Sequence, residues 1–172
     1  MSILELMIKR RSIRSFSKKM ITEQDLEAMI EAIRWAPSAG NLQSRKFFFI
    51  RNQQKKEELV AAALGQSFIA QAPMVIVACL DRRIFVRYGD RGINLYAIQD
   101  VAAGIMNLML VAQERGLGTC WVGAFNEFEV HEILDMPDFL RPVAIIPVGY
   151  PARMVEGAPK RMPREETVVF VG

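Results

Sequence analysis

Three arginines fall within five positions near the start of the chain, in the stretch Arg10, Arg11, Ser12, Ile13, Arg14. Forked guanidinium donors beside a hydroxyl suit one compact oxyanion, and a phosphate monoester suits them best. A solvated helix end is the competing reading. A nucleic-acid contact needs a longer basic face with aromatics for stacking, and only Phe16 is near. If a helix ends just before the arginines, its negative pole repels the anion, so side-chain cations must supply nearly all the attraction. A second basic cluster, Pro159 to Pro163 (PKRMP), lies near the other end of the chain. Two stretches in between are made of small residues that let backbone approach a ligand: APSAGNLQ at 36–43 and GTCWVGAF at 118–125.

Other catalytic patterns are missing. The single histidine, His131, sits inside a helical stretch with no second histidine, cysteine or serine partner in sight, which argues against a metal site or a nucleophilic triad. The chain has no GxSxG, HExxH or P-loop, and GLGTCWVG at 116–123 lacks the GxGxxG spacing. Cys79 and Cys120 form no CxxC, so neither a disulfide framework nor a zinc site is expected. Cys120 is open to two readings, a reactive thiol or a small buried hydrophobe beside Trp121. A chain with so few acid–base groups borrows its chemistry from a cofactor.

The elements that must position these groups are legible in outline. At 172 residues and 51% hydrophobic content, the chain supports one well-filled domain over 1–172. Its net charge of +3 is too small to imply nucleic acid without clustering. The longest uninterrupted apolar run, PMVIVACL at 73–80, is far short of the ~20 residues that span a bilayer. The first residues lack the pattern of a signal peptide, so a soluble cytoplasmic protein is expected. Ser2 with Glu5 makes a capping box for a first helix, and Thr22 caps a second over 22–37, stopped by Pro37. KFFFI (46–50) and MVIVACL (74–80) predict strands, the latter central, and 53–65 predicts a surface helix closed by Gly65. The segment from about Ile93 to Arg115 is apolar on nearly every face, so a helix there must be buried all round. Gly116 and Gly118 end it, and Asn126 with Glu129 caps a helix over 126–134. PVAIIPVGY (142–150) predicts a strand that Pro147 places near an edge or bulge, and TVVFV (167–171) a further strand. DRRIFVRYGDRG (81–92), with Arg82, Arg83, Arg87 and Arg91, predicts a solvated loop, or a site for a nicotinamide phosphate or an acidic substrate.

The order RRSIRSF, APSAGNLQ, GTCWVGAF and PKRMP resembles the FMN-dependent nitroreductase family over essentially the whole chain. The resemblance implies an α+β fold of three α/β/α layers, with a mixed, mainly antiparallel sheet. It also implies a homodimer with FMN at the subunit interface and the C-terminal strand exchanged between subunits. By position, Arg10, Ser12 and Arg161 would contact the FMN phosphate, with Arg11 a neighbour that can instead face solvent. Arg14 would lie at the pyrimidine end of the flavin. Pro37, Ser38, Ala39 and Asn41 would reach the flavin from the other subunit, Gly123 and Ala124 would lie at its edge, and Gln43 and Gln66 would reach polar ring atoms. NADH or NADPH would donate hydride, and a flat electron-poor acceptor such as a nitroaromatic or quinone would be reduced in a ping-pong cycle. A flavin-storage or flavin-sensing protein, or a member with altered flavin chemistry such as dehalogenation, dehydrogenation or flavin fragmentation, is the alternative. One departure stands out. Many relatives read Asn-x-Gln-Pro-Trp where this chain reads Asn41, Leu42, Gln43, Ser44, Arg45, which puts the contacts just after Gln43 in question.

Overall fold

A computed structural model describes residues 2–153, 155 and 157–172. Four strands form the sheet in the order β1-β2-β4-β3: β1 (Arg45–Ile50), β2 (Met74–Asp81), β3 (Gly118–Thr119) and β4 (Leu140–Gly149). All the neighbouring strands pair antiparallel. The mixed sheet expected from the sequence survives only as a single parallel bridge between Ser12 and Thr119.

β2 is buried along almost its whole length because it has helices on both faces, as its continuous apolar run requires. Met74, Ile76, Ala78 and Leu80 pack with α2 (Glu23–Arg34) and α6 (Ala97–Glu114). Val75, Val77 and Cys79 face α3 (Gln53–Ala62), α4 (Phe68–Gln71) and α7 (Glu127–Ile133). The result is three layers.

The caps read from sequence are formed. Ser2 and Glu5 make the reciprocal box at the start of α1 (Ile3–Lys9), Thr22 caps α2, and Asn126 accepts from the Phe128 and Glu129 amides ahead of α7. Gly116 takes a left-handed φ of 74° and ends α6, with Leu117 N–H closing on the Ala112 carbonyl. Gly118 does not terminate the helix. It lies in β3, where a Cβ would sit 2.5 Å from Ile13, so it is the close-packing seat of the arginine stretch.

Three expectations need correction. Residues 82–96 form no loop: a 3₁₀ turn (Arg82–Ile84), α5 (Phe85–Arg91) and a π-helical turn (Gly92–Tyr96) lead into α6. Gly89 (φ 56°, ψ −149°) breaks α5 in a conformation open to glycine. Long and apolar enough by length and composition to cross a bilayer, the run Arg82–Glu114 has Val101, Ile105 and Leu108 fully buried on the sheet, as in a core helix. Pro147 lies in interior β4, not at an edge. Ile145 exchanges both bonds with Val122, whereas at the next pair Cys120 N–H reaches the Pro147 carbonyl at 3.4 Å and the proline has no N–H to return. The ladder is therefore interrupted, and β3 is only two residues long. Finally, Thr167 ends a short helix, α8 (Arg164–Thr167), and Val168 is extended (φ −130°, ψ 127°) but joins no sheet among the described residues.

Candidate functional site

The arginine stretch is pinned as an extended segment between two neighbours. Ile13 N–H donates to the Thr119 carbonyl at 2.9 Å, Ser17 N–H to the Tyr150 carbonyl at 2.8 Å, and Ala152 N–H to the Ser15 carbonyl at 3.0 Å. Ile13 and Phe16 point into the protein with Ala72, while Ser12 and Arg14 are exposed. The alternation of Ser12, Ile13 and Arg14 is what an extended chain gives, and it breaks before Phe16, which turns inward three residues after Ile13. Tyr150 is fixed in turn by Asp25, whose carboxylate accepts its hydroxyl at 2.9 Å and the Arg115 guanidinium at 3.2 Å. The Thr22 hydroxyl, followed by Tyr150 and Arg115, holds the Asp25 carboxyl below its ordinary range against the opposing effect of burial.

The segment after β4 folds over the arginines. Arg11 donates to the Gly157 carbonyl at 2.6 Å, which brings the late basic cluster alongside the early one. Arg10, Arg11, Ser12, Arg14, Arg153 and Arg161 line one cavity of about 630 Å³. Among the described residues, no carboxylate lines it. Five guanidiniums lining one space focus a positive potential on it, and the donor set fits a phosphate ester. Arg153 is a lining residue that the sequence motifs do not mark. Its signal was weak, a lone arginine just past a strand end, and only the pairing of Ser15 with Ala152 brings it to Arg14. Cys120 lies beneath the cluster, 1% exposed. Burial pushes its thiol up, against the pull of Arg14, Ser12 and Arg10. That favours the reading as a packed, unreactive thiol.

Gly123 and Ala124 follow the Val122–Ile145 bridge and are exposed, with open space where a Gly123 Cβ would be. The Gln66 amide donates to the Ala63 carbonyl at 3.0 Å and the Ala124 carbonyl at 3.3 Å. Its NH₂ group thus tethers Ala124.

The third group of residues lies elsewhere. Pro37 and Ser38 lead into a 3₁₀ turn, Ala39–Asn41, and Gln43 precedes β1. Gly40, Asn41 and Gln43 have φ of 55°, 55° and 52°. Ala39 N–H donates to Asp100 at 2.9 Å, and Gln43 N–H to the Ser38 hydroxyl at 3.0 Å. Tyr88 of α5 covers the turn: a Cβ on Gly40 would lie 2.3 Å from its hydroxyl. This loop enters β1, at one edge of the sheet, whereas the arginine cavity borders β3, at the other. The chain therefore gathers Arg10, Arg11, Ser12, Arg14 and Arg161 in a single site, but keeps Pro37, Ser38, Ala39, Asn41 and Gln43 apart from them.

The Nitroreductase family model matches residues 7–150. The oxygen-insensitive NADPH nitroreductase of Salmonella typhimurium is 31% identical, over 96% of this chain and 72% of that protein. The FMN reductase [NAD(P)H] of Bacillus subtilis is 29% identical, over 95% of this chain and 71% of its own length. The crystal structure of a nitroreductase family protein from Streptococcus pneumoniae superposes with a TM-score of 0.87 at 28% identity, covering 99% of this chain and 100% of that one. With its motifs in order, its three layers and this match over most of its length, the chain belongs to the nitroreductase family.

Proposed function

We propose that this chain is an FMN-dependent oxidoreductase that takes reducing equivalents from NADH or NADPH and delivers them to a flat electron-poor acceptor, a nitroaromatic or a quinone. The observation that carries this reading is the cavity lined by five arginines and Ser12. Such a donor set suits a phosphate monoester at the end of a larger ligand. Bound FMN would supply the two-electron transfer between nicotinamide and acceptor.

The protein's own part is to bind, orient and tune. Arg10, Ser12 and Arg161, joined by Arg11 and Arg153, would hold the phosphate. Arg14 would stand beside the pyrimidine end, where a cation stabilises negative charge that develops on reduction. The exposed backbone of Gly123 and Ala124 would meet the ring edge, with Gln66 holding Ala124 in place. No side chain is required as a general acid, since solvent supplies protons.

The remaining contacts would come from a second copy, in a homodimer with FMN at the subunit interface. Support comes from the separation of the Pro37–Gln43 loop from the arginine cavity, which two copies could close. Further support comes from uncovered apolar surface. Trp35 is 82% exposed. Ile98 and Met106 are exposed on α6, and a groove of about 570 Å³ runs between α1, α2 and α6. A tail of Val168, Val169, Phe170 and Val171 is exposed as well and would pair with the partner's sheet.

Steady-state kinetics on the FMN-loaded protein test the cycle. Varying NADPH at several fixed concentrations of a soluble quinone should give parallel double-reciprocal lines, because one substrate leaves before the other enters. Intersecting lines would contradict a shared space.

A further inference from the structure

The loop from Ala36 to Gln43 is held in a shape that its residues resist. Asn41 and Gln43 adopt positive φ without being glycine, and side chains enter that region reluctantly. Such a backbone persists where its surroundings over-determine it, and it gathers at functional sites. Ser38 and Asp100 each accept one of its amides. A third restraint is Arg45, one of the two residues, with Ser44, at which this chain leaves the family's pattern.

The Arg45 guanidinium reaches back across the loop. Its Nη2 donates to the Ala36 carbonyl at 2.6 Å, and its Nη1 to the Pro37 carbonyl at 2.9 Å and the Asp100 carbonyl at 3.2 Å. One planar fork thereby joins Ala36 and Pro37 to the backbone of α6. Gly104 makes room for this: a Cβ there would meet Phe47 at 3.1 Å and the Arg45 stem at 3.6 Å. Asp100 is 4% exposed, and its Oδ2 has no hydrogen-bond partner among the described residues. Burial holds the Arg45 pKa below its ordinary value, and the neighbouring Asp100 offsets only part of that.

We propose that Arg45 and Asp100 form a positioning pair that fixes where Pro37 to Asn41 present themselves to bound flavin, so that Arg45 governs the rate of flavin reduction while acting through the loop. The inference rests on the flavin reading above. A lysine cannot replace the arginine here, because a single ammonium lacks the planar fork that serves three carbonyls at once.

The test is stopped-flow reduction of full-length protein by NADH or NADPH at saturating FMN, with Tm measured in parallel, for wild type, Arg45→Gln, Arg45→Lys and Asp100→Ala. Misplacement of a positioning loop by about 1 Å costs roughly tenfold to a hundredfold in rate, so the reduction rate constant of Arg45→Gln should fall at least about tenfold. Arg45→Lys should not restore it. Asp100→Ala, which removes the acceptor of Ala39 N–H, should show a similar fall and serves where Arg45→Gln does not fold. A wild-type rate with only a lowered Tm, or full rescue by lysine, would overturn the proposal. In either of those cases the wild type is still reduced. A wild type that binds no FMN, or is not reduced by either donor, would instead refute the flavin reading itself.

Discussion

Removing Arg10 and Arg161 together tests whether the arginine cavity is a phosphate seat. These two residues come from opposite ends of the chain, and both line the cavity. Arg10 is half-buried and Arg161 exposed, so the lower end of the range for a charge-assisted hydrogen bond applies, about 1.5 kcal/mol each. Two such losses amount to about 3 kcal/mol, or roughly a hundredfold weaker binding of FMN. Arg11, Arg14 and Arg153 remain, so binding should be weakened but not abolished. Arg153→Ala alone should cost about tenfold on the same reasoning. The assay is a fluorescence-quenching titration of FMN at fixed ionic strength. Arg51→Ala serves as a control, because Arg51 is paired with Glu23 at 2.9 Å and does not line the cavity. The Kd of the double variant should also rise less steeply with salt than the wild type's, since fewer cations remain to be screened. A double variant that binds FMN within about twofold of wild type, or a control that loses as much, would refute the assignment.

Gly40→Ala should lower Tm through two separable effects: a left-handed φ of 55° and a Cβ 2.3 Å from the Tyr88 hydroxyl. Adding Tyr88→Phe leaves Cζ as the nearest atom, at 3.4 Å. The double variant should therefore regain the steric part of the loss and keep the conformational part, about 1 kcal/mol, as a double-mutant cycle would read. Asp25 has a depressed folded pKa, so its contribution to stability is present above its unfolded value and is lost as pH falls through the folded one. Wild type should then lose Tm more steeply than Asp25→Asn below about pH 4; parallel curves would show that the carboxylate contributes nothing. Deleting residues 164–172 should raise the dimer dissociation constant in sedimentation, and an unchanged constant would remove the exchanged tail from the description.

Local signals carried well from sequence to structure. The box at Ser2 and the side-chain caps at Thr22 and Asn126 depend on side chains within three residues, so a single chain displays them. The reciprocal half of the box at Asn126 is missing, because its N–H donates to the Ala62 carbonyl. β2 was readable as central because seven consecutive apolar residues leave no polar face. Features that long-range contacts decide were less visible. α5 contains Gly89 and four nearby arginines, a loop-like composition, yet Tyr88 is packed between Gly40 and the Tyr96 ring. Two of the four are spoken for: Arg83 forks onto Asp81, and Arg91 donates to the Tyr96 hydroxyl. Pro147 suggested an edge or a bulge; β4 is interior but its pairing with β2 shifts register between Ala78 and Cys79, and the missing Pro147 donor faces a β3 ladder that stops there. At the site, the early arginines were plain from their spacing. Arg153 was not, because nothing in its neighbourhood marks it until Ser15 pairs with Ala152. Arg45 looked like a loss of a family contact, and its three carbonyl partners emerge only when α6 is packed beneath it.

An anaerobic absorbance spectrum of the purified protein, recorded before and after NADH and then NADPH, tests the central claim most directly. An oxidised flavin spectrum that bleaches with either donor is the expected result, and it also names the donor. A flavin spectrum that persists with both would contradict the oxidoreductase reading and leave a protein that stores or senses flavin. If neither the purified protein nor a sample supplied with FMN shows bound flavin, the five arginines must serve a different anion.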